Sequence, residues 1–193
     1  DGQRVTMASQ IAGADETVSS LYSVKSEQAT MLSFDTYNYL VHYFGQPQGS
    51  MADDPNGTLG GDYEFVISDA TADRIELKGK KYGNRIVMKA FSADQTWKQY
   101  LTRIKKVEDD AFFYEYDLRM DGLYTGQMLR SNYTFIVTYY DEVGKVHQKT
   151  VPFMFTTDGM RFHEPVTIDG QTMQNFVWKN EEISFVCTDE GAT

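Results

Sequence analysis

The chain is poor in the residues that usually lock a fold or run its chemistry. It has one cysteine, Cys187, so no internal disulfide can form and packing must hold the fold. Its three histidines, His42, His147 and His163, show no H-E-x-x-H or paired spacing, and His163-Glu164 alone does not make a metal site. They read as solvated or hydrogen-bonded surface residues. Basic residues are outnumbered 18 to 28, and the net charge of −10 repels a phosphate backbone, which excludes a general nucleic-acid binder. No apolar run reaches the roughly 18 residues of a membrane-spanning helix. There is no G-x-S-x-G nucleophile elbow and no G-x-x-x-x-G-K-[ST] loop, and Gly57–Gly61 opens no helix. No catalytic set, metal site or cofactor is assigned from these residues.

What is present belongs to a globular β protein. The 193 residues are 41% hydrophobic and 24% charged, ordinary for one domain or two small lobes. The aromatic share of 14%, with 13 Tyr and 12 Phe, favours strands. Alternation with period two dominates. Tyr63, Phe65 and Ile67 share one face, as do Ile75 and Leu77, then Ile86 and Met88. The links Asp69–Asp73 and Lys80–Asn84 are short, which predicts an antiparallel meander, because parallel strands need long crossovers. In the second half Phe112, Tyr114, Tyr116 and Leu118 form one face, Tyr133, Phe135, Val137 and Tyr139 another, and Val151, Phe153 and Phe155 a third. Asp121-Gly122 and Asp169-Gly170 read as turns, and Asp158-Gly159 as a type I′ hairpin turn. Pro152 marks an edge strand, a bulge or a strand break. Ile183, Phe185 and Cys187 alternate with Ser184 and Val186, so Cys187 is expected to face inward as a small apolar residue.

One segment departs from this pattern. Trp97, Tyr100, Leu101, Ile104 and Val107 recur at helical spacing, and Ser92 with Gln95 fits a capping box. These predict an amphipathic helix over about 92–107, with Trp97 buried and Glu108-Asp109-Asp110 beyond its end, where acids oppose the helix dipole. The fold class is therefore mainly β: an antiparallel meander, barrel-like or two packed sheets, with this helix between two β-rich halves. The organisation is one β-rich domain over 1–193, or two lobes, 1–91 and 111–193, joined by the helix. The segment Phe34–Pro47 loosely echoes Phe155–Pro165, a pattern that suggests a duplication.

Gly45–Gly61 is the longest expected loop, and long loops in compact domains are usually functional or mobile. Asp53, Asp54, Asn56 and Asp62 supply the hard oxygens that calcium favours, but Phe65 stands where the bidentate acid would fall, so a solvated acidic turn is the better reading. Beside the loop lies Tyr37–Phe44, read as a short helix or wide bend. Its aromatics, Tyr37, Tyr39, Tyr43 and Phe44, together with His42, are the candidate ligand-binding residues. Aromatic faces stack on sugar rings or anchor peptides at low entropic cost; the plainer reading is that these rings fill the edge of the β core.

Three segments also carry a family resemblance: L-S-F-D-T-Y-N-Y-L-V-H-Y-F at Leu32–Phe44, G-G-D-Y-E-F-V-I at Gly60–Ile67, and L-K-G-K-K-Y-G-N-R-I at Leu77–Ile86. In order and spacing they resemble an uncharacterised family of Bacteroidetes lipoproteins, catalogued as a domain of unknown function. Phe153–Pro165 and Gly170–Trp178 are similar to that family's C-terminal part, so the likeness covers most of the chain from about residue 20. It implies an exported protein on the outer membrane or cell surface, held by a lipidated N-terminal cysteine. It also implies a gene placed beside uptake proteins of the starch-utilisation type, and sometimes beside a zinc peptidase. The family's signal peptide, lipobox cysteine and upstream β-rich stretch are not in this sequence. Asp1–Ser9 is expected to be the tail of an interrupted first β unit, with the N-terminal part of the full-length protein missing. The family assigns no catalytic residues.

The resulting expectation is a non-enzymatic cell-surface lipoprotein domain. It would bind a nutrient-derived glycan or peptide, or a partner of an outer-membrane uptake system, with membrane contact only through the anchor. A hydrolase acting on glycans or peptides is the first alternative; it needs two carboxylates across one cleft. A structural or assembly module is the second.

Overall fold

The computed structural model describes residues 3–26, 28–47, 59–141 and 143–191. The chain is mainly β, built as two curled antiparallel sheets. It separates into two compact units, Asp1–Lys98 and Gln99–Thr193.

The first unit carries a six-stranded sheet in simple chain order. Its strands are β1 (Gln3–Met7), β2 (Val18–Ser26), β3 (Thr30–Ser33), β4 (Glu64–Ala70), β5 (Arg74–Gly79) and β6 (Arg85–Lys89). Between β3 and β4 the chain forms a one-turn helix, α1 (Tyr39–His42), and a 3₁₀ turn at Tyr43–Gly45. The short links after β4 and β5 make two hairpins, as expected. Phe65 on β4 and Leu77 on β5 point into the core, both only 2% exposed. Three expected inward positions differ. Tyr63 lies just before β4 and is exposed. All five residues of β6 are exposed, Ile86 and Met88 included. Among the described residues β6, the last strand of the sheet, pairs only with β5, and its alternation has no covered face to point into.

The helix α2 (Trp97–Asp110) leads into the second unit. It begins five residues later than the capping pattern predicts and ends three later. Gln95 N donates to Ser92 O at 3.0 Å, so the cap-like pair closes a turn ahead of the helix instead of starting it. Trp97 consequently sits in the first turn and is 40% exposed, not buried. The C-terminal acids stay helical because each meets a cation. Glu108 lies 3.5 Å from Lys105 and from Arg130, Asp109 lies 3.3 Å from Lys105, and Asp110 lies 2.5 Å from Lys106. These pairs offset the unfavourable dipole term, which amounts to less than about 1 kcal/mol at a surface.

The second unit is a seven-stranded meander: β7 (Glu115–Met120), β8 (Leu123–Ser131), β9 (Thr134–Tyr140), β10 (Val146–Phe155), β11 (Gly159–Ile168), β12 (Gln171–Lys179) and β13 (Ser184–Cys187). Its core follows the expected faces of β9 and β10: Phe135, Val137, Val151, Phe153 and Phe155 are all buried. Phe135 and Phe153 stack across the two strands with ring centroids 4.3 Å apart. Ile104 and Val107 of α2 join the same cluster. On the β7 face Leu118 is buried and Tyr116 half-buried, but Phe112 and Tyr114 precede the strand and are exposed.

Turn chemistry decides the hairpins. Asp121-Gly122 and Asp169-Gly170 each hold both residues at positive φ, as a type I′ turn demands. Asp158-Gly159 does not. Gly159 already belongs to β11, and the turn is closed by Thr156 N donating to Gly159 O at 2.9 Å. The glycine serves close approach instead: a Cβ there would lie 2.0 Å from the Phe176 carbonyl oxygen on β12. Pro152 marks a change of partner. β10 pairs with β9 through Val146–Pro152 and with β11 through Phe153–Phe155, so the missing N–H falls at the handover. The suggested duplication is not structural, since Tyr39–Gly45 is helical while the matching stretch lies in β11.

Candidate functional site

The three segments that carry the family resemblance come together in the first unit. Asn38 is fully buried and caps α1: its Oδ1 accepts from Leu40 N at 3.1 Å, and its Nδ2 donates to Ser20 Oγ on β2 at 3.1 Å. Gly61 N donates to Phe44 O at 2.9 Å, which ties the 3₁₀ turn to the second segment. Asp62 then clasps the third. Its Oδ1 accepts from Lys81 N at 2.7 Å and Tyr82 N at 3.1 Å, and its Oδ2 accepts from Asn84 Nδ2 at 2.9 Å. Burial pushes the Asp62 carboxyl up, but the N–H groups of Tyr82, Lys81 and Asn84 outweigh it and hold it below the usual carboxylate range. Gly79 is required beneath it, because a Cβ would fall 1.9 Å from Asp62 Oδ2. Asp62 is thus spent on the β5–β6 link. The other candidate calcium ligands, Asp53, Asp54 and Asn56, lie outside the described residues.

This scaffold presents the aromatic residues singled out from the sequence. Tyr37, Tyr43, Phe44 and Tyr63 are 61, 42, 38 and 45% exposed. His42 lies between two of them: its ring stacks on Tyr63 at 5.0 Å and tilts against Tyr37 at 5.3 Å. Its Nδ1 is 2.9 Å from Asn38 O, so the buried cap also orients the imidazole. Tyr43 and Phe44 meet edge to face at 5.2 Å. Tyr39 is different. It is half-buried and its hydroxyl donates to Glu16, so it belongs to the frame more than to the display. Tyr63, read as a core position from the alternation, joins the display. Polar groups stand beside the rings: Tyr37 Oη donates to Gln46 Oε1 at 3.3 Å.

The remaining histidines are surface groups. His147 Nε2 lies 2.8 Å from Asp141 Oδ2 and its ring stacks on Tyr139 at 5.3 Å, while His163 is exposed on β11. Cys187 faces the interior of the second unit, where burial pushes its thiol up.

The second unit holds a concavity that no local sequence pattern marks. A cavity of about 1060 Å³ is bordered by β7 and β13 and floored by buried apolar side chains, among them Met120, Met128, Met160 and Met173. Those methionines lie on four different strands, and only the curl of the sheet brings them together.

Fold and site together define a two-unit β-meander protein, in which a buried polar clasp presents surface aromatics. The chain belongs to the family described as Domain of unknown function (DUF4302), whose model matches residues 1–180. No curated protein and no solved structure matches it.

Proposed function

We propose that this chain is the ligand-binding part of a lipid-anchored cell-surface protein, and that Tyr37, His42, Tyr43, Phe44 and Tyr63 form its binding surface for a nutrient-derived glycan. The observation that carries the reading is the fixed exposure of the rings. A solvent-exposed aromatic contributes little to stability, yet the buried Asn38 and Asp62 hold the segments bearing these side chains in one arrangement. Rigid rings with hydrogen-bonding groups beside them suit sugars, whose apolar ring faces stack and whose hydroxyls need partners. Lipid anchoring, the outer membrane and association with an uptake system are carried by the resemblance to Bacteroidetes lipoproteins.

The test is a glycan array probed with the chain and with a Tyr37→Ala, Tyr43→Ala double variant. These two residues are chosen because both are exposed, so their removal leaves the clasp intact. Loss of two ring contacts at about 1 kcal/mol each is expected to weaken a positive glycan roughly thirtyfold. Equal binding by the variant removes this surface from consideration. Binding to a peptide array with the same sensitivity would replace glycan by peptide as the ligand.

A further inference from the structure

The seven-stranded sheet is one unbroken meander, so among the described residues β7 pairs only with β8 and β13 only with β12. Both free edges border the same cavity of about 1060 Å³. Its floor is Leu118, Met120, Met128, Met160, Met173 and Phe176, all buried. Unbranched thioether side chains adapt to varied apolar shapes, so such a floor accepts more than one aliphatic or aromatic group.

The rim has a sign. Glu115, Asp117 and Glu182 border the cavity, and Arg119, the one basic residue among those lining it, lies 3.1 Å from Asp117 Oδ2. Along β7 the roles alternate: Leu118 and Met120 turn inward, while Asp117 and Arg119 stand exposed. Tyr116 and Phe185 meet with ring centroids 5.8 Å apart, which bridges β7 to β13 at one level and leaves the stretch from Asp117 to Met120 open. Ile183, at the mouth, is a β-branched residue held at φ 49° with its side chain exposed, an unfavourable conformation of the kind that clusters at ligand sites.

We propose that this opening binds an extended polypeptide segment that adds to the free edge of β7, with apolar and basic side chains in alternation. The backbone of an edge strand offers donors and acceptors at strand spacing, and an extended peptide matches that repeat. With period two, every second side chain of the added strand drops onto the methionine floor. The others stand on the outer face beside Asp117 and near Glu182, where opposite charge is favoured across neighbouring strands. The site is independent of the aromatic surface of the first unit.

The experiment uses the full chain and a blocked hexapeptide of alternating valine and lysine. Binding is read by calorimetry, and pairing by amide hydrogen exchange at Asp117 and Arg119, the alternate residues of β7 whose N–H groups face away from β8. The proposal expects saturable binding with slowed exchange at those amides. It expects at least about tenfold weaker affinity in an Asp117→Lys, Glu182→Lys variant, in which two attractive pairs become repulsive. Both residues are exposed, so the variant retains its fold, which circular dichroism verifies. The same peptide N-methylated at alternate residues is expected not to bind. Equal binding of the N-methylated peptide would overturn the strand and leave an unspecific apolar cavity. No binding, or slowed exchange at β7 that depends on protein concentration without peptide, would overturn the peptide in favour of no ligand or a second copy of the chain.

Discussion

Asp62 shows how much one side chain can determine. Its donors sit 19 to 22 residues further along the chain, so the carboxylate fixes a contact that no local pattern could form. Hydrogen bonds to a charged group contribute about 1.5–3 kcal/mol each, and removing the acceptor strands several donors. Asp62→Ala is therefore expected to destabilise the first unit by about 2–4 kcal/mol in urea denaturation. Asp189 plays a comparable role between β12 and β13. Its carboxylate accepts from Gln174 N at 2.5 Å, Asn175 N at 2.7 Å and Asn175 Nδ2 at 2.6 Å. Burial raises its pKa, but these bonds and the Cys187 thiol outweigh that and bring it from 3.8 to about 2. A carboxyl depressed in the folded state contributes stability above its unfolded value, and that stability is lost as pH falls from 3.8 toward about 2. Denaturation midpoints measured across this window should fall for the native chain, and more shallowly for Asp189→Asn.

At the scale of elements, α2 is held by a buried ionic contact as well as by its apolar face. Glu108 and Arg130 are both about nine-tenths buried, 3.5 Å apart, and Tyr133 Oη donates to Glu108 at 3.1 Å. Arg130 also lies over the Phe112 and Phe155 rings at 4.9 and 5.1 Å. Breaking one partner of a buried pair leaves the other charge uncompensated, so Glu108→Ala should cost about 3–5 kcal/mol in equilibrium unfolding. Glu108→Gln, which keeps the acceptor for Tyr133, should cost less. This helix also marks where local reading stops. Spacing located it, but its ends depended on Arg130 and on the turn at Ser92, which no local pattern specifies. Strand faces are legible where the core covers them, as for Phe135 and Val137 on β9 and Leu118 on the edge strand β7. They misled at the edge strand β6 and at Phe112 and Tyr114, where alternation persists without burial. Tyr37, Tyr43 and Phe44 could be picked out as a run of aromatics, whereas Tyr63 looked like core. The methionine floor could not be seen at all, because its members are spread over four strands.

Over the whole molecule the buried apolar side chains are distributed unevenly among the described residues. The buried apolar cluster of the second unit has 17 members, running from Ile104 to Phe176. Among the described residues of the first unit the buried apolar side chains are Leu40, Phe65 and Leu77, beside the buried polar Ser20, Ser33, Asn38 and Asp62. Apolar burial is the main source of stability, so the first unit should open more readily. In native-state hydrogen exchange, amides of β4 and β5 are expected to exchange through lower-energy openings than those of β9 and β10.

If the aromatic surface of the first unit binds a ligand, binding should stabilise that unit selectively. The direct measurement is nuclear magnetic resonance of the aromatic side chains, titrated with the strongest glycan from the array. The Tyr37, Tyr43, Phe44 and Tyr63 ring resonances are expected to shift with one common affinity, and the Tyr37→Ala, Tyr43→Ala variant to lose the response. Saturable glycan binding that leaves those four rings unmoved would contradict the proposed binding surface.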